Sequence, residues 1–304
     1  MPNDIFYWVF NMSITAALTG AVVMLIRMIR IIPRRFAVLL WIIPYMRMVL
    51  PFGLDQPYSL MSLVTKVTAK SVVVYQPIDN IAFSMMNGIM AADSYFPLTY
   101  KTDAFKKVFG MASVVWIAVS LSVIALLTVV YFKTISSVRD FVRLTGNIYF
   151  SDKVTTPAVY GIIHPKIILP SLCGKRDTGF IIMHEEEHIR HCDNLWRVLA
   201  LIITSLHWFN PLCWVFLKCL LADMELSCDE RVTAKLDPDR ARNYALSLLE
   251  YEQDSTVFAS AFGGAKIRTR IENILSFKKL TRFSFAVLSA FIAVIFCVLL
   301  TNAE

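Results

Sequence analysis

The sequence predicts an α-helical membrane protein: four transmembrane helices carrying a cytoplasmic α+β domain. Three observations predict it. The chain of 304 residues is 57% hydrophobic with a mean hydropathy of +0.58, above the range of ordinary soluble domains. Four apolar runs each approach the roughly 20 residues that a helix needs to cross a bilayer. Lys and Arg gather in three clusters beside these runs, as they do on the cytoplasmic side of membranes.

The first run extends from Ile5 to about Ile26. Asp4 precedes it, no basic residue does, and the run is too long for a signal peptide. Arg27, Arg30, Arg34 and Arg35 fill the short link to the second run, Phe36 to about Leu54, which Pro44, Arg47 and Pro51 interrupt. A charge such as Arg47 inside an apolar run snorkels or pairs within the bundle. The third run, Phe109 to Phe132, is followed by Lys133, Arg139 and Arg143. The fourth, Phe283 to Leu300, is preceded by Lys278, Lys279 and Arg282. The three basic clusters place the N-terminus and a loop at about 55–108 outside, residues 133–282 in the cytoplasm, and the end of the chain outside again. The expected organisation is thus three N-terminal transmembrane helices in 1–132, a cytoplasmic domain in 133–282, and a fourth helix with a short external tail in 283–304. The net charge of +7 is largely these anchors. The bilayer is therefore one partner, and direct contact with nucleic acid is not called for.

The cytoplasmic segment opens with strand-like pieces. Ile148–Phe150, Ala158–Ile163 and Lys166–Leu169 are short and apolar, punctuated by Pro157, Pro165 and Pro170, with a turn at His164-Pro165-Lys166. An exposed strand edge just ahead of a catalytic helix can hold an extended peptide by strand addition. After Gly174 the pattern becomes helical and enters Met183-His184-Glu185-Glu186-Glu187-His188.

That stretch is an HExxH motif. Residues four apart share a helix face, so His184 and His188 can point ring nitrogens at one metal ion. Glu185 can then reach a metal-bound water as its base. The chain has only five histidines, and two fall at this spacing around a Glu. Of the others, His164 belongs to a turn. His191 shares the helical face, but residues seven apart rise about 10.5 Å, too far for one tetrahedral ion. Asp193 is placed to cap or orient.

The next stretch, about 195–222, is two apolar halves broken by His207-Trp208-Phe209-Asn210-Pro211. Each half is too short to span a bilayer. A helical hairpin associated with the membrane or packed on the bundle fits, and a soluble core hairpin is the alternative. It leads to Glu225-Leu226-Ser227-Cys228-Asp229-Glu230. A catalytic zinc site wants a third protein ligand, and Glu225 is the candidate. Asp229, on the same face, can accept a hydrogen bond from a ligand imidazole and fix its tautomer. The six cysteines form no CxxC pair and read as buried, reduced residues. Cys192 and Cys228 lie near the expected metal, with a ligand role as the lesser reading. Tyr244 and His207 are both candidates for a second oxyanion donor.

With these motifs in order, and with Ala158-Val159-Tyr160-Gly161 and Arg47-Met48-Val49-Leu50-Pro51-Phe52 upstream, the chain resembles the membrane metallopeptidase family of the BlaR/MecR β-lactam sensor-transducers. The resemblance covers nearly the whole chain. It implies a gluzincin-type zinc peptidase domain facing the cytoplasm among four transmembrane helices. It implies His184, His188 and Glu225 as zinc ligands and Glu185 as general base. It also implies a protein substrate, a winged-helix transcriptional repressor whose cleavage relieves repression, often of antibiotic-resistance genes. A homodimer stays open.

Full-length sensor-transducers carry a penicillin-binding domain after the fourth helix, and this sequence stops at Glu304. A fragment, or a family member with another sensor or none, is expected. The lone SxxK match, Ser276-Phe277-Lys278-Lys279, has no such domain around it. Self-cleavage within Ile271–Phe277, just before the fourth run, is a further expectation, with Gly263-Gly264 as the hinge. Two other classes compete: a general quality-control or prenyl-protein zinc endopeptidase, and a non-catalytic membrane regulator that binds a repressor. The His-Trp-Phe-Asn-Pro block argues against the first, and the intact His184, Glu185, His188 and Glu225 argue against the second.

Overall fold

The computed structural model describes residues 2–29, 31–50, 58–60, 103–137, 140–154, 156–171, 178–253 and 265–301. Most of the expected external loop, Cys173 and Gly263-Gly264 lie outside these residues.

The described chain is mostly helical, with one small sheet. Helix α1 spans Pro2–Arg27, α2 Arg34–Leu40, α3 Ile42–Val49 and α4 Asp103–Ser137. Strands β1 (Val142–Thr145), β2 (Ile148–Ser151), β3 (Ala158–Tyr160) and β4 (Lys166–Pro170) follow. Then come α5 (Gly179–Arg190), α6 (Asp193–Leu206), α7 (Pro211–Ala234), α8 (Pro238–Gln253), α9 (Ile267–Leu275) and α10 (Arg282–Leu300).

Three described helices are long and apolar enough to cross a membrane: Ile5–Arg27, Val108–Ser136 and Arg282–Leu300. Half of the first window is buried, against 11% of the other two, so α1 is enclosed while α4 and α10 present their apolar sides outward. The second apolar run is not one such helix among the described residues. It is the pair α2 and α3, broken at Trp41. Pro44 is the cause: its ring clashes with the carbonyl four residues back, that of Leu40, and it has no N–H to give. Arg47 is buried between α3 and the end of α10, where its guanidinium donates to the carbonyls of Leu299 and Thr301. It thereby caps a helix end that has no further N–H groups of its own.

The hairpin of α6 and α7 packs inside this bundle. Asn210 accepts from the N–H of Leu212 at the start of α7, with Pro211 at the first helical position, a standard N-terminus. From there α7 runs alongside α1 in matched steps. Asn210 Nδ2 donates to Ser13 Oγ at 2.8 Å. Phe216 fills the notch at Gly20, where a Cβ would meet its ring at 2.2 Å. Arg27 Nε meets Asp223 Oδ2 at 2.6 Å. Phe209 packs on Phe6 and Phe10, and Trp116 of α4 donates to the Leu206 carbonyl at 2.7 Å. The hairpin is thus in contact with two candidate spans, α1 and α4, while Leu195, Trp196, Leu199, Ile202, Leu212 and Val215 stay exposed. Trp41, Phe216, Leu217, Leu220 and Met224 form the centre of the shared core.

The sheet has the order β1-β2-β4-β3, with β2 and β4 parallel and the outer pairs antiparallel. β1 lies outside the strands that the sequence suggested: Val142 and Leu144 alternate with Arg143 and Thr145, but the run is only four residues long and all its side chains are exposed. The expected strand from Ala158 to Ile163 ends at Tyr160. Gly161 turns it at φ +94°, and a Cβ there would stand 2.9 Å from the His164 carbonyl oxygen. Ile167 and Leu169 of β4 bury against Ile181 of α5, which seats the HExxH helix on the sheet.

Candidate active site

α5 presents His184, Glu185 and His188, all buried. The Nε2 atoms of His184 and His188 face each other at 3.1 Å. α7 brings Glu225 over them, with Oε2 3.5 Å from His184 Nε2 and Oε1 3.6 Å from His188 Nε2. A tetrahedral zinc ion, with ligand atoms about 2.0–2.1 Å away, sets those atoms roughly 3.3–3.4 Å apart. Thus the two imidazoles and Glu225 already stand at the spacing of such a site.

Cys228 offers a rival donor. The ligand atoms of His184, His188 and Cys228 lie within 4.8 Å of one another. But the thiol is 3.4 Å from His184 Nδ1 and bonds the His184 carbonyl oxygen, behind the ring. Glu225 faces the Nε2 atoms of both rings, so both Glu225 and Cys228 stand within reach of the pair. Burial would raise the Cys228 thiol pKa, but His184 and His188 hold it below its usual value.

Both imidazoles are fixed from behind. Cys192 takes a left-handed φ of 54° between α5 and α6. This sharp turn returns Asp193 to His188, Oδ2 to Nδ1 at 2.6 Å. The orienting role open to Asp193 is the one it takes. Burial disfavours a charged His188, but Glu225 and Asp193 outweigh it and raise its pKa. His184 Nδ1 meets Tyr244 Oη of α8 at 2.9 Å and Asp229 Oδ1 at 3.3 Å. Tyr244 donates to Asp229 Oδ1 at 2.6 Å. Asp229 and Tyr244 thus both stand against His184 Nδ1.

Two arginines complete the site, and neither was visible as a site residue in the sequence. Arg197 of α6 donates to Glu225 Oε1. Arg270 of α9 grips Asp229 with Nε at 2.8 Å and Nη2 at 2.7 Å. Burial would raise both carboxylates. The positive charge of His188, with Arg197 adding to it, takes Glu225 well below the usual range. Arg270 takes Asp229 to about 2. Glu185, Asp193, Glu225 and Asp229 stand against Arg197 and Arg270; with both imidazoles neutral, as metal ligands must be, that leaves an excess of two carboxylates to suit a divalent cation.

Other candidates are excluded. His191 is 3.7 Å from Glu187 and 40% exposed on its side chain, turned away from the pair. Tyr244 is fully buried behind His184 and cannot face a substrate. His207 sits beyond the start of α7, on the order of 25 Å along the chain axis from Glu225 at about 1.5 Å per residue, and cannot serve as an oxyanion donor. On the edge strand, Ile167 N–H points to Asn147, so Val159, its β3 partner, turns its carbonyl to the free edge. Asn194 already donates to that carbonyl and to Gly161's, at 3.0 and 3.1 Å. Strand addition there would have to displace Asn194. Tyr160 stands close enough to Glu185 that burial and that carboxylate raise its phenol pKa.

The sequence profile of the BlaR1 peptidase M56 family matches residues 7–274. The chain belongs to this family. Over 138 residues it is 29% identical to the regulatory protein BlaR1 of Bacillus licheniformis, covering 42% of this chain and 23% of that protein. Over 122 residues it is 25% identical to the methicillin resistance mecR1 protein of Staphylococcus aureus, covering 39% of this chain and 21% of that protein. The chain thus spans less than a quarter of either relative's length in these alignments. The M56 profile runs from α1 through α9 and so takes in every side chain of the site just described.

Proposed function

We propose that this chain is an integral-membrane zinc endopeptidase that acts in transmembrane signalling and relieves a winged-helix transcriptional repressor by cutting it. The observation that carries the reading is the convergence of His184, His188 and Glu225 at zinc-ligand spacing, with Glu185 next to His184. Zinc bound there would lower the pKa of its water toward neutrality and polarise the substrate carbonyl. The chain's own residues do the rest. Asp193, and Asp229 with Tyr244, hold the imidazoles in register. Glu185 takes the proton of the attacking water and passes it to the leaving amine. Arg197 keeps Glu225 ionised.

The membership in the M56 family and the names of the two relatives support a role in β-lactam-responsive signalling. The proposed topology is the four-span arrangement with the N-terminus outside and the gluzincin-type domain, residues 133–282, in the cytoplasm. The α2–α3 pair then serves as the second crossing. Self-cleavage belongs to the same reading. Asn273 ties α9 to α7 by donating to the Leu226 carbonyl at 3.2 Å, and the non-helical stretch after Leu275 leaves from that point.

Elemental analysis and fragment mass spectrometry test the proposal together. Wild type and Glu185→Ala should each hold one zinc per chain, and Glu225→Ala and His188→Ala should hold none. A new N-terminus between Asn273 and Lys278 should arise in wild type alone. Equal zinc in all four proteins would sink the metal site. The same fragment from Glu185→Ala would assign the cut to another protease.

A further inference from the structure

We propose that Arg270 is a catalytic residue, donating from its guanidinium to the carbonyl oxygen of the scissile peptide. The assignment rests on the peptidase reading above and adds the donor that Tyr244 and His207 are placed too poorly to be. Two N–H groups of Arg270, on Nε and Nη2, are spent on the fork with Asp229. The fork fixes the plane of the guanidinium. Its remaining N–H groups lie against the two ligand side chains: Nη2 is over the His184 ring, 3.3 Å from Nε2 and 3.5 Å from Nδ1, and Nη1 is 3.8 Å from Glu225 Oε2. They border the position that a metal ion between these ligand atoms would take, beside which the reacting carbonyl must sit.

A donor serves a developing oxyanion best when it is held in place before the reaction. Arg270 meets this condition because Asp229 anchors it independently of any metal. Arg197 does not, since its short contact is with Glu225 itself, a group that metal binding would engage, whereas Arg270 approaches Glu225 only at 3.8 Å and keeps Asp229 as its close partner. The neighbouring Arg268 is the ordinary case on the same helix: its side chain is 88% exposed and pairs with Glu272 one turn on. The Arg270 side chain is only 16% exposed, which leaves it largely shielded from water. A pin that merely fastened α9 to α7 would need the Asp229 fork alone. Here the remaining N–H groups also lie against His184 and Glu225.

The test separates transition-state binding from metal binding, using the full chain in detergent or nanodiscs. Zinc affinity is measured for wild type, Arg270→Lys and Arg270→Ala. On the zinc-loaded proteins, binding of a phosphonamidate peptide, which mimics the tetrahedral anion, is compared with binding of the matching uncleaved amide peptide. Loss of one oxyanion donor should weaken the phosphonamidate about 100–1000-fold, while the amide changes far less. Zinc stoichiometry should stay at one. Millimolar guanidinium should restore phosphonamidate binding to Arg270→Ala, and Tris should not. Equal loss for both peptides, or zinc loss in both Arg270→Lys and Arg270→Ala, would overturn the assignment and leave Arg270 a positioning residue for Asp229. If wild type itself takes up no zinc, the peptidase reading falls and this assignment falls with it. The Lys variant keeps the charge beside Asp229 and so guards against a fold that collapses without it.

Discussion

Helix α7 carries four carboxylates on two faces, and the faces have opposite tasks. Asp223 and Glu230, seven residues apart, look toward the link between α1 and α2. Asp223 is wholly buried among Arg27, Arg34 and the Trp41 indole. Glu230 accepts from the backbone N–H groups of Arg34 and Arg35 at 2.8 and 3.3 Å. It thereby caps α2, whose own N-cap residue, Pro33, has no side chain to do so. Glu225 and Asp229, four apart, look the other way, at His184, His188 and the two site arginines. Two residues of helix turn the direction by about 200°, so Asp223 and Glu225 cannot share a neighbour. The partners then decide the chemistry. Burial prevails over the hydrogen bonds at Glu230 and raises its pKa, whereas the charges of His188 and Arg197 prevail at Glu225. One helix thus fastens the N-terminal helices with one face and lines the candidate site with the other.

The comparison is broken most directly at its two buried acids. Asp223→Ala leaves Arg27 and the Trp41 indole without their acceptor. It should cost about 3–5 kcal/mol of stability, the range for removing one partner of a buried ion pair. Zinc affinity per folded molecule should stay at the wild-type value. Thermal unfolding in detergent, paired with zinc titration of the folded fraction, reads both. If Asp223→Ala lost zinc in step with Glu225→Ala, the two faces would be one unit.

A smaller effect lies within the site face. Asp193→Ala and Asp229→Ala each free one imidazole and should weaken zinc roughly 10–100-fold without abolishing it. Competition against a chelator of known affinity measures this. Wild-type affinity in either variant would remove that carboxylate from its orienting role.

The smallest effect belongs to Glu230. Glu230→Ala removes only the cap of α2, worth about 0.5–2 kcal/mol. Hydrogen exchange should show faster opening confined to the amides of Arg34–Ala37, with α5 protected as in wild type. Faster exchange spreading to α5 would mean that the cap and the site are coupled.

Much of this was legible in the sequence because it depends on local periodicity. His184 and His188 meet through the helical repeat alone, and the repeat likewise puts Glu225 and Asp229 on one face. The length and apolarity of α1, α4 and α10 follow from a simple run of residues, and Pro44 marks where α2 must stop. The turn between α5 and α6 was less readable, since Cys192 in a left-handed conformation carries no residue-type signal. Yet that turn is what delivers Asp193 to His188.

By itself, then, the sequence determined the HExxH helix, the long apolar helices α1, α4 and α10, and the side chains that are candidate ligands. These follow from interactions within a few residues, where spacing dictates direction. Only the tertiary structure decided that Arg270, from a helix 41 residues beyond Asp229, reaches the site at all. It alone set Glu225 before the imidazoles and Cys228 beside His184, put Tyr244 behind His184, and sent the α6–α7 hairpin along α1. Those choices depend on how whole elements pack. A buried charge must find its partner wherever the fold brings one within reach, and no local pattern in the chain records where that is.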